Sequence, residues 1–325
     1  MTRIGVLCND RLALPALAAL LQAGRVVAVG MADIATDIRP VVEQLCRNAR
    51  VPCTFFAKKG LEAGLLEWLH IHSPAVVLVK TFPWKIPAAV LAIPPMGFIN
   101  FHYAPLPGWR GPNPLFWIIR QQVPQGGISV HQMDGSFDTG PLIMQAPIPI
   151  SPDISFGMLN TQLAFAGQHL TQHLLPLLDS GQVSSFAQTG PSNWYRKPQA
   201  SDLVIDWHTM TASSIKALVK ACNPWNKGAV TSWNGWSFGI TEASIHPAEA
   251  VNEAIPGTIV EISEEKGLLV TCVDNLLLKA EIVYCEEGFF MGHQLALFGL
   301  QKLTRLGVLP VARTTVDAGQ EPAIA

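Results

Sequence analysis

Short apolar runs alternate with segments of helical periodicity over the first half of the chain, and this alternation constrains the fold more than any other feature. Buried strands are predicted where the apolar runs fall, at residues 3–8, 26–29, 75–79 and 97–101. Helices are predicted between them, at Leu12–Leu21, around Val41–Arg47 and at Leu61–His70. Because such alternation builds parallel sheets, whose buried strands are nearly continuous apolar runs, the pattern predicts an α/β domain.

The segments that follow complete this domain and separate it from a second one. The pattern predicts a helix at Pro114–Arg120, strands at Ile128–His131 and Leu142–Ile150, and a long helix at about Ser155–Leu178. Ser, Gly, Gln, Pro and Lys then dominate the chain from Ser180 to Leu203, which is typical of a connecting segment. We therefore expect a first domain at residues 1–190, a linker at 191–205, a second domain at 206–312 and a tail at 313–325.

The second domain has a different texture, because its strands are short and follow one another. A helix is predicted at Thr211–Cys222, and strands are predicted at 229–233, 238–245, 257–262, 267–272 and 275–283. Strands at this spacing, with turn signals between them, favour a small β-barrel. A last helix is expected at about Gly292–Leu306.

The composition excludes several classes of protein. Hydrophobic residues make up 49% of the 325 residues and charged residues 14%, which excludes a disordered chain. The formal net charge is −2 and the basic residues are scattered, so the sequence lacks the electrostatic footprint of a nucleic-acid binder. We expect no membrane span, because no uninterrupted apolar run reaches about 18 residues. The six cysteines form no C-x-x-C pair, which favours a reducing cytoplasm.

The residues that carry chemistry lie around the last predicted parallel strand. Asn100 and His102 are two apart in that strand, so their side chains project to the same side at the end where open sheets bind ligands. Asp138 follows in the motif Phe-Asp-Thr-Gly. An amide that stabilises an oxyanion, an imidazole that moves a proton and a carboxylate that assists them suffice for acyl transfer to an amine.

These motifs, in this order and spacing, resemble the formyltransferase family, which includes methionyl-tRNA, glycinamide ribonucleotide and sugar N-formyltransferases and formyltetrahydrofolate hydrolase. Asn100-x-His102 precedes Pro-Leu-Pro and Arg-Gly elements, and Gly-Ile-Ser-Val-His-Gln-Met-Asp precedes Phe-Asp138-Thr-Gly. The second domain also looks like that of methionyl-tRNA formyltransferases, at residues 202–207 and 223–231. The resemblance implies a Rossmann-like first domain followed by a small OB-like β-barrel domain.

The resemblance also implies roles for particular residues. N10-formyltetrahydrofolate would be the formyl donor, with Asn100 as oxyanion stabiliser, His102 as proton carrier and Asp138 as the carboxylate that orients the histidine. The family's folate pocket corresponds here to Phe82, Trp84, Ile86, Met133, Asp134, Gly135 and Asp138. For the amine acceptor we expect contacts from Tyr103, Arg110 and Asn113, which lie close to the histidine in sequence.

One departure from the family bears on the acceptor. Methionyl-tRNA formyltransferases carry a basic loop after the second strand, and the shorter segment at residues 31–40 stands in its place without the basic run. Phosphate binding needs Lys and Arg, so the sequence disfavours a tRNA partner. The acceptor is then expected to be a small or carrier-bound amine, such as an amino sugar or an amino acid.

Three alternatives stay open from the sequence. Methionyl-tRNA formyltransferase keeps the chemistry with a different acceptor, formyltetrahydrofolate hydrolase uses water, and a folate-binding protein has no turnover. No metal is expected, because His169 and His173 are four apart on a predicted helix without a further ligand. His131, beside the motif, is expected to be satisfied by backbone at a strand end.

Overall fold

The computed structural model describes residues 1–249 and 254–307, and these form two compact units. The first unit comprises Met1–Lys197 together with Lys220–Trp225, and the second comprises Pro198–Val219 and the chain from Asn226 onward. The division after Lys197 falls inside the segment predicted to be a linker. The predicted tail lies outside the described residues, as does the end of the predicted second domain.

A seven-stranded sheet organises the first unit, in the order β3-β2-β1-β4-β5-β6-β7. The first five strands of this order are mutually parallel, whereas β6 and β7 are antiparallel to their neighbours. The strands are β1 (Ile4–Cys8), β2 (Val26–Ala32), β3 (Cys53–Phe56), β4 (Val76–Lys80), β5 (Phe98–His102), β6 (Gln125–Gln132) and β7 (Leu142–Pro149). The predicted α/β domain with a parallel sheet is confirmed.

Helices connect these strands and cover the sheet. They are α1 (Leu14–Gln22), α2 (Arg39–Ala49), α3 (Leu61–His72), α4 (Ala88–Leu91), α5 (Pro114–Arg120) and α6 (Phe156–Ser180), with a 3-10 helix at Arg11–Ala13. The sequence pattern did not indicate β3 or α4. Strand β3 has only four residues, three of them half-buried, so it lacks a buried apolar run, and α4 is a single turn after Pro87.

The second unit contains a six-stranded antiparallel sheet in the order β10-β11-β12-β9-β8, with β13 paired to β12. Its elements are α7 (Ala212–Cys222), whose last residues belong to the first unit, and β8 (Ala229–Trp233), β9 (Trp236–Glu249), β10 (Ile259–Ser263), β11 (Gly267–Thr271), β12 (Leu276–Cys285) and β13 (Gly288–Met291).

Residues 303–307 join the two edges of this sheet. The backbone of Ile259, in β10, exchanges hydrogen bonds with Leu303 and Thr304, and the backbone of Ser232, in β8, does so with Gly307. The predicted barrel is therefore closed by a segment for which a helix was expected. That helix is only a 3-10 helix at Gly292–Phe298, which ends at Gly299 with a φ of 99°.

The two faces of β5 have different surroundings, and this difference positions the candidate site. Phe98 belongs to the apolar cluster under α3, and Asn100 and His102 share its face because side chains alternate along a strand. Phe101 faces the other way and lies against Lys80 of the neighbouring strand β4. The polar pair thus projects from the α3 face at the carboxyl end of the parallel sheet.

Lys80 is fully buried, and replacing it should stabilise the protein. Its Nζ atom lies 3.1 Å from the centroid of the Phe101 ring and has no hydrogen-bond partner among the described residues. Burial lowers the pKa of Lys80 well below its usual 10.5, so between its folded and unfolded pKa values the unfolded chain binds a proton that the folded protein does not bind. We predict that Lys80→Met raises the free energy of unfolding at pH 7 by about 1–3 kcal/mol, measured by denaturant titration.

The pH dependence gives this prediction a second measurement. Wild-type stability should rise with pH from the folded-state pKa of Lys80 towards 10.5, so the gap between Lys80→Met and wild type should narrow at pH 9.5. Lys59→Met, at an exposed lysine, is the matched control and should change stability little at either pH. A Lys80→Met variant less stable than wild type at pH 7 would contradict the interpretation.

Candidate active site

The structure brings Asn100, His102 and Asp138 together at the carboxyl end of β5. Asn100 and His102 are on the same face of the strand, where Asn100 is half-buried and His102 is buried. Asp138 lies in the turn between β6 and β7 with a φ of 57°, and its side chain is 11% exposed. The antiparallel pairing of β5 with β6 places His131 opposite Asn100, and the turn that follows β6 then brings the Asp138 carboxylate to the histidine.

His102 is held so that one ring nitrogen faces the carboxylate. Its Nε2 atom lies 2.6 Å from the carbonyl oxygen of Trp109, and a carbonyl can only accept, so Nε2 carries the proton. Its Nδ1 atom lies 3.5 Å from Oδ1 of Asp138. The atom of His102 that can take up a second proton is therefore Nδ1, on the side of Asp138.

The Asp138 carboxylate is anchored by backbone. Its Oδ2 accepts a hydrogen bond of 2.9 Å from the backbone N–H of Gly111, and this leaves Oδ1 directed towards the histidines. The turn itself is fixed by Gln188, whose Nε2 donates to the carbonyls of Asp138 and Gly140 at 2.9 and 2.8 Å. Both contacts restrict the carboxylate to one orientation before any ligand binds.

His131 orients the side-chain amide of Asn100, and the sequence did not indicate this contact. The Nδ1–H of His131 donates to the carbonyl of Gln132 at 2.8 Å, and burial is the main cause that lowers the pKa of His131 below 6.5. A neutral ring with its proton on Nδ1 has an accepting lone pair on Nε2. That atom lies 3.1 Å from Nδ2 of Asn100, so it accepts one amide hydrogen and leaves the other for a ligand.

A wall of the site comes from the segment predicted to be a linker. The backbone N–H of Arg110 donates to the carbonyl of Asn193, and the backbone N–H of Tyr195 donates to the carbonyl of Arg110. The ring of Tyr195 stacks on that of Trp109, with the ring centroids 4.3 Å apart. Gly111 is required in this wall, because its φ is +114° and a Cβ atom there would lie 2.1 Å from the carbonyl oxygen of Tyr195. Residues 188–195 thus support both His102, through Trp109, and Asp138.

The residues expected to hold folate share one apolar cluster. Ile86 is buried in the cluster under α3 that contains Phe98, and Phe82, Trp84 and Met133 pack against it while partly exposed. The rings of Phe82 and Trp84 meet edge to face with centroids 5.7 Å apart. Half-exposed apolar side chains on the Asn100 face of the sheet fit the flat face of a pterin.

Two further residues of the expected folate pocket lie in the turn that carries Asp138. Asp134 accepts hydrogen bonds at its Oδ1 from the backbone of Ser136 and from the hydroxyl of Thr139. Gly135 is exposed, with open space where a Cβ atom would stand. Asp134 therefore closes the turn through its side chain, and residues 134–137 of this turn are exposed.

Of the residues expected to contact the acceptor, Tyr103 does not lie at the site. It is buried, its hydroxyl donates to the carbonyl of Leu12, and it packs against Gly167 of α6, on the face opposite His102. Arg110 donates to Gln188 at 2.7 Å, so its guanidinium supports the wall. Asn113 is half-buried at the start of α5 without a side-chain capping hydrogen bond.

Among the described residues, no group of three or more His, Cys, Asp and Glu side chains could hold a metal ion. Within the same residues, none of the helices combines the length and the hydropathy that a membrane-spanning segment needs.

Family models match both parts of the chain. The formyl transferase model matches residues 29–175, and the model of the formyl transferase C-terminal domain matches residues 197–285. The methionyl-tRNA formyltransferase of Nitrosospira multiformis is 32% identical over 239 residues, which cover 70% of this chain and 75% of that protein. That of Dictyoglomus turgidum is 32% identical over 211 residues, which cover 65% of this chain and 67% of its own length.

Solved structures share the fold at lower identity. HypX from Aquifex aeolicus, in complex with tetrahydrofolic acid, superposes with a TM-score of 0.66 at 15% identity, over 92% of this chain and 47% of that chain. An N-formyltransferase from Helicobacter canadensis, in complex with folinic acid and dTDP-3-aminofucose, has a TM-score of 0.64 at 16% identity, over 86% of this chain and 99% of that chain. The family models and the sequence relatives together show that the chain belongs to the formyl transferase family of folate-dependent enzymes.

Proposed function

We propose that this protein transfers the formyl group of N10-formyltetrahydrofolate to the primary amine of a small or carrier-bound acceptor. The observation that carries the proposal is the convergence of Asn100, His102 and Asp138 at one end of the sheet, with Nδ1 of His102 3.5 Å from the carboxylate. An amide donor, an imidazole and a carboxylate are what acyl transfer to an amine requires.

Each of these residues has a defined task in the proposal. The remaining amide hydrogen of Asn100 stabilises negative charge as it develops on the formyl oxygen. Nδ1 of His102 receives a proton, and the carboxylate of Asp138, fixed by Gly111, stabilises the imidazolium and accepts a hydrogen bond from the attacking amine. The unprotonated amine attacks the formyl carbon directly, so no covalent nucleophile from the protein is needed. The bond from that carbon to N10 then breaks, and tetrahydrofolate leaves with the proton that Nδ1 of His102 received.

The donor is assigned to the partly exposed apolar surface beside these groups. Phe82, Trp84, Ile86 and Met133 would hold the pterin ring, and the turn from Asp134 to Asp138 would provide backbone hydrogen bonds to its edge. When bound, the folate supplies the activated formyl group. The protein's own contribution is to position that group against Asn100 and His102 and to exclude water from it.

Methionyl-tRNA is the second candidate acceptor, because the sequence relatives carry that name. The segment after β2 supports the small acceptor instead. Arg39 is held by Asp33 at 2.9 Å and by Glu43 at 3.2 Å, and Arg11 forms an ion pair with Asp37. Since carboxylates engage both arginines, the segment offers little positive charge to the phosphates of a nucleic acid.

The proposal is tested by following tetrahydrofolate release from N10-formyltetrahydrofolate in the presence of amino sugars, amino acids, carrier-bound amines or charged initiator tRNA. We expect turnover that depends on a small or carrier-bound amine and an N-formyl product identified by mass spectrometry. Turnover with charged tRNA alone would establish the second candidate, and turnover without any amine would make the protein a hydrolase. Folate binding without turnover under every condition would contradict catalysis altogether.

Replacing Asp138 by Asn should lower kcat by about 10²- to 10⁴-fold, because the amide cannot stabilise the imidazolium or take part in proton transfer. The Gly111 N–H can still bond to the amide oxygen, so the turn should keep its place and the Kd for 5-formyltetrahydrofolate should change little. Steady-state rates and calorimetric binding measure the two effects. Asp153→Asn, at an exposed aspartate, is the control with the same loss of charge.

Replacing His131 by Phe tests its role as a positioning residue. Without the acceptor on Nε2, the Asn100 amide loses its fixed orientation, and we expect kcat to fall by about 10- to 100-fold while the KM for the donor changes less. His131→Gln can present an accepting oxygen to the amide and should recover part of the loss. If both variants lose the same activity, or if only the KM changes, His131 does not act through Asn100.

A further inference from the structure

Two cysteines lie next to each other where α2 leads into β3, and the chemistry assigned above does not use them. Cys46 is near the end of α2 and is buried, whereas Cys53 is the first residue of β3 and is half-buried. Both are free thiols. Neither α2 nor β3 carries a residue assigned to catalysis, so this pair is a feature separate from the candidate active site.

The end of α2 turns the chain back towards Cys46. Arg50 has a φ of 56°, and the backbone N–H of Val51 donates to the carbonyl of Cys46 at 3.0 Å. In this helix-ending motif the residue after the left-handed position packs against the side chain whose carbonyl it binds, here Cys46. Because side chains two apart in an extended chain share a side, Cys53 follows Val51 onto the same side and faces Cys46.

A contact at the other end of α2 gives the same alignment. The guanidinium carbon of Arg39 lies 3.8 Å from the centroid of the Phe55 ring. Arg39 and Cys46 are seven apart and share a face of the helix, and Phe55 and Cys53 are two apart and share a face of the strand. The helix and the strand therefore face each other through these residues, with Cys46 opposite Cys53.

The two thiols differ in acidity because of this contact. Cys46 donates a hydrogen bond to the sulfur of Cys53, which is the main cause that lowers the pKa of Cys53; the charge of Arg39 also lowers it, while burial and Glu43 raise it. The same hydrogen bond, with burial, raises the pKa of Cys46. Since the thiolate is the nucleophilic form of cysteine, Cys53 is the reactive member and Cys46 holds the proton.

The surroundings of Cys53 distinguish it from the remaining cysteines. Burial raises the pKa of the four thiols outside the pair, namely Cys8, Cys222, Cys272 and Cys285. Strand β3 lies at the edge of its sheet, and Pro52, just before Cys53, is exposed. A small oxidant can therefore reach Cys53 from the edge of the sheet. An accessible, acidic thiol beside a second thiol is the arrangement that redox-sensing cysteines share.

We propose that Cys53 and Cys46 form a peroxide-reactive pair that closes to a reversible disulfide within the chain. The Cys53 thiolate attacks one oxygen of a hydroperoxide, the O–O bond breaks, and the other oxygen takes a proton from solvent and leaves as water or an alcohol. The sulfur of Cys46 then attacks the resulting sulfenic acid, the S–O bond breaks, and the hydroxide leaves as water with the proton of Cys46. The two thiols lose two electrons, which reduce the hydroperoxide.

The hydrogen bond between the thiols accounts for the order of these steps. While Cys53 is a thiolate, its negative charge holds the proton on Cys46. Once Cys53 is a sulfenic acid, that charge is gone and Cys46 is free to attack. The disulfide would join the end of α2 to the first residue of β3, at the edge of the first unit.

The test is a peptide map of the full chain, reduced, treated with hydrogen peroxide and then blocked with N-ethylmaleimide. Trypsin cleaves after Arg47 and Arg50, so Cys46 and Cys53 leave on different peptides. We expect these two peptides linked by a disulfide that dithiothreitol removes. In the untreated protein, Cys53 should react with N-ethylmaleimide about tenfold faster than any other thiol.

Three variants separate the steps. Cys46→Ala should stop the reaction at the sulfenic acid of Cys53, which dimedone traps, and Cys53→Ser should leave Cys46 unoxidised. Cys285→Ser, at a buried thiol in the other unit, is the control and should give the same linked peptides as wild type. Thermal unfolding checks that each variant is folded, and if Cys46→Ala is not, the wild-type peptide map decides.

Several results would overturn the proposal. They are oxidation of Cys53 to a sulfinic acid without a disulfide in wild type, a disulfide from Cys53 to Cys8 or to a second chain, and a Cys53 thiol no more reactive than the others. Because neither folate nor an amine is present, the outcome is independent of the proposed function.

Discussion

The hydrogen bond from the backbone N–H of Gly111 to Oδ2 of Asp138 is the contact on which the rest of the site depends. It joins the loop that follows β5 to the turn that follows β6, 27 residues later, and sets the distance between carboxylate and imidazole. The same loop presents the carbonyl of Trp109 to His102. A shift of this loop would therefore disturb both the Nε2 contact of His102 and the position of the Asp138 carboxylate.

Two histidine rings, each with one proton fixed by a backbone carbonyl, complete the preorganisation of the site. The carbonyls of Trp109 and Gln132 each accept from one histidine, so each ring has a defined tautomer without help from a ligand. Consequently Nδ1 of His102 faces the Asp138 carboxylate, and Nε2 of His131 faces the amide of Asn100. Because these bonds are partly buried, they are stronger than they would be in water, and they fix both rings without a bound ligand.

Local rules predicted part of this arrangement. The alternation of strand and helix gave the parallel sheet, and the period of two placed Asn100 and His102 on one face. The same period places Tyr103 on the opposite face, where it is buried against Leu12 and Gly167. The expected contact between Tyr103 and the acceptor was therefore wrong, because the side chain points away from His102. The roles of Asn100, His102 and Asp138 in catalysis stay predictions.

Long-range contacts account for what the sequence pattern did not indicate. Gln188, Trp194 and Tyr195 lie in a polar stretch whose composition is that of a linker, yet backbone pairing with Arg110 makes it a wall of the site. His131 meets Asn100 only because β6 runs antiparallel to β5, and neither direction nor register can be read from an apolar run. In the second unit, residues 303–306 were expected to end a helix, but residues 303–307 instead pair with both edges of the sheet.

A crystal structure of the protein with 5-formyltetrahydrofolate, a folate whose formyl group is not transferred, tests the proposed site most directly. We expect the pterin ring against Phe82, Trp84 and Met133, with N10 and the space for its formyl group facing Asn100 and His102 at about hydrogen-bonding distance. The Gly111–Asp138 hydrogen bond should be unchanged on binding. A folate bound elsewhere, or bound here with Asn100 and His102 turned away from N10, would contradict it.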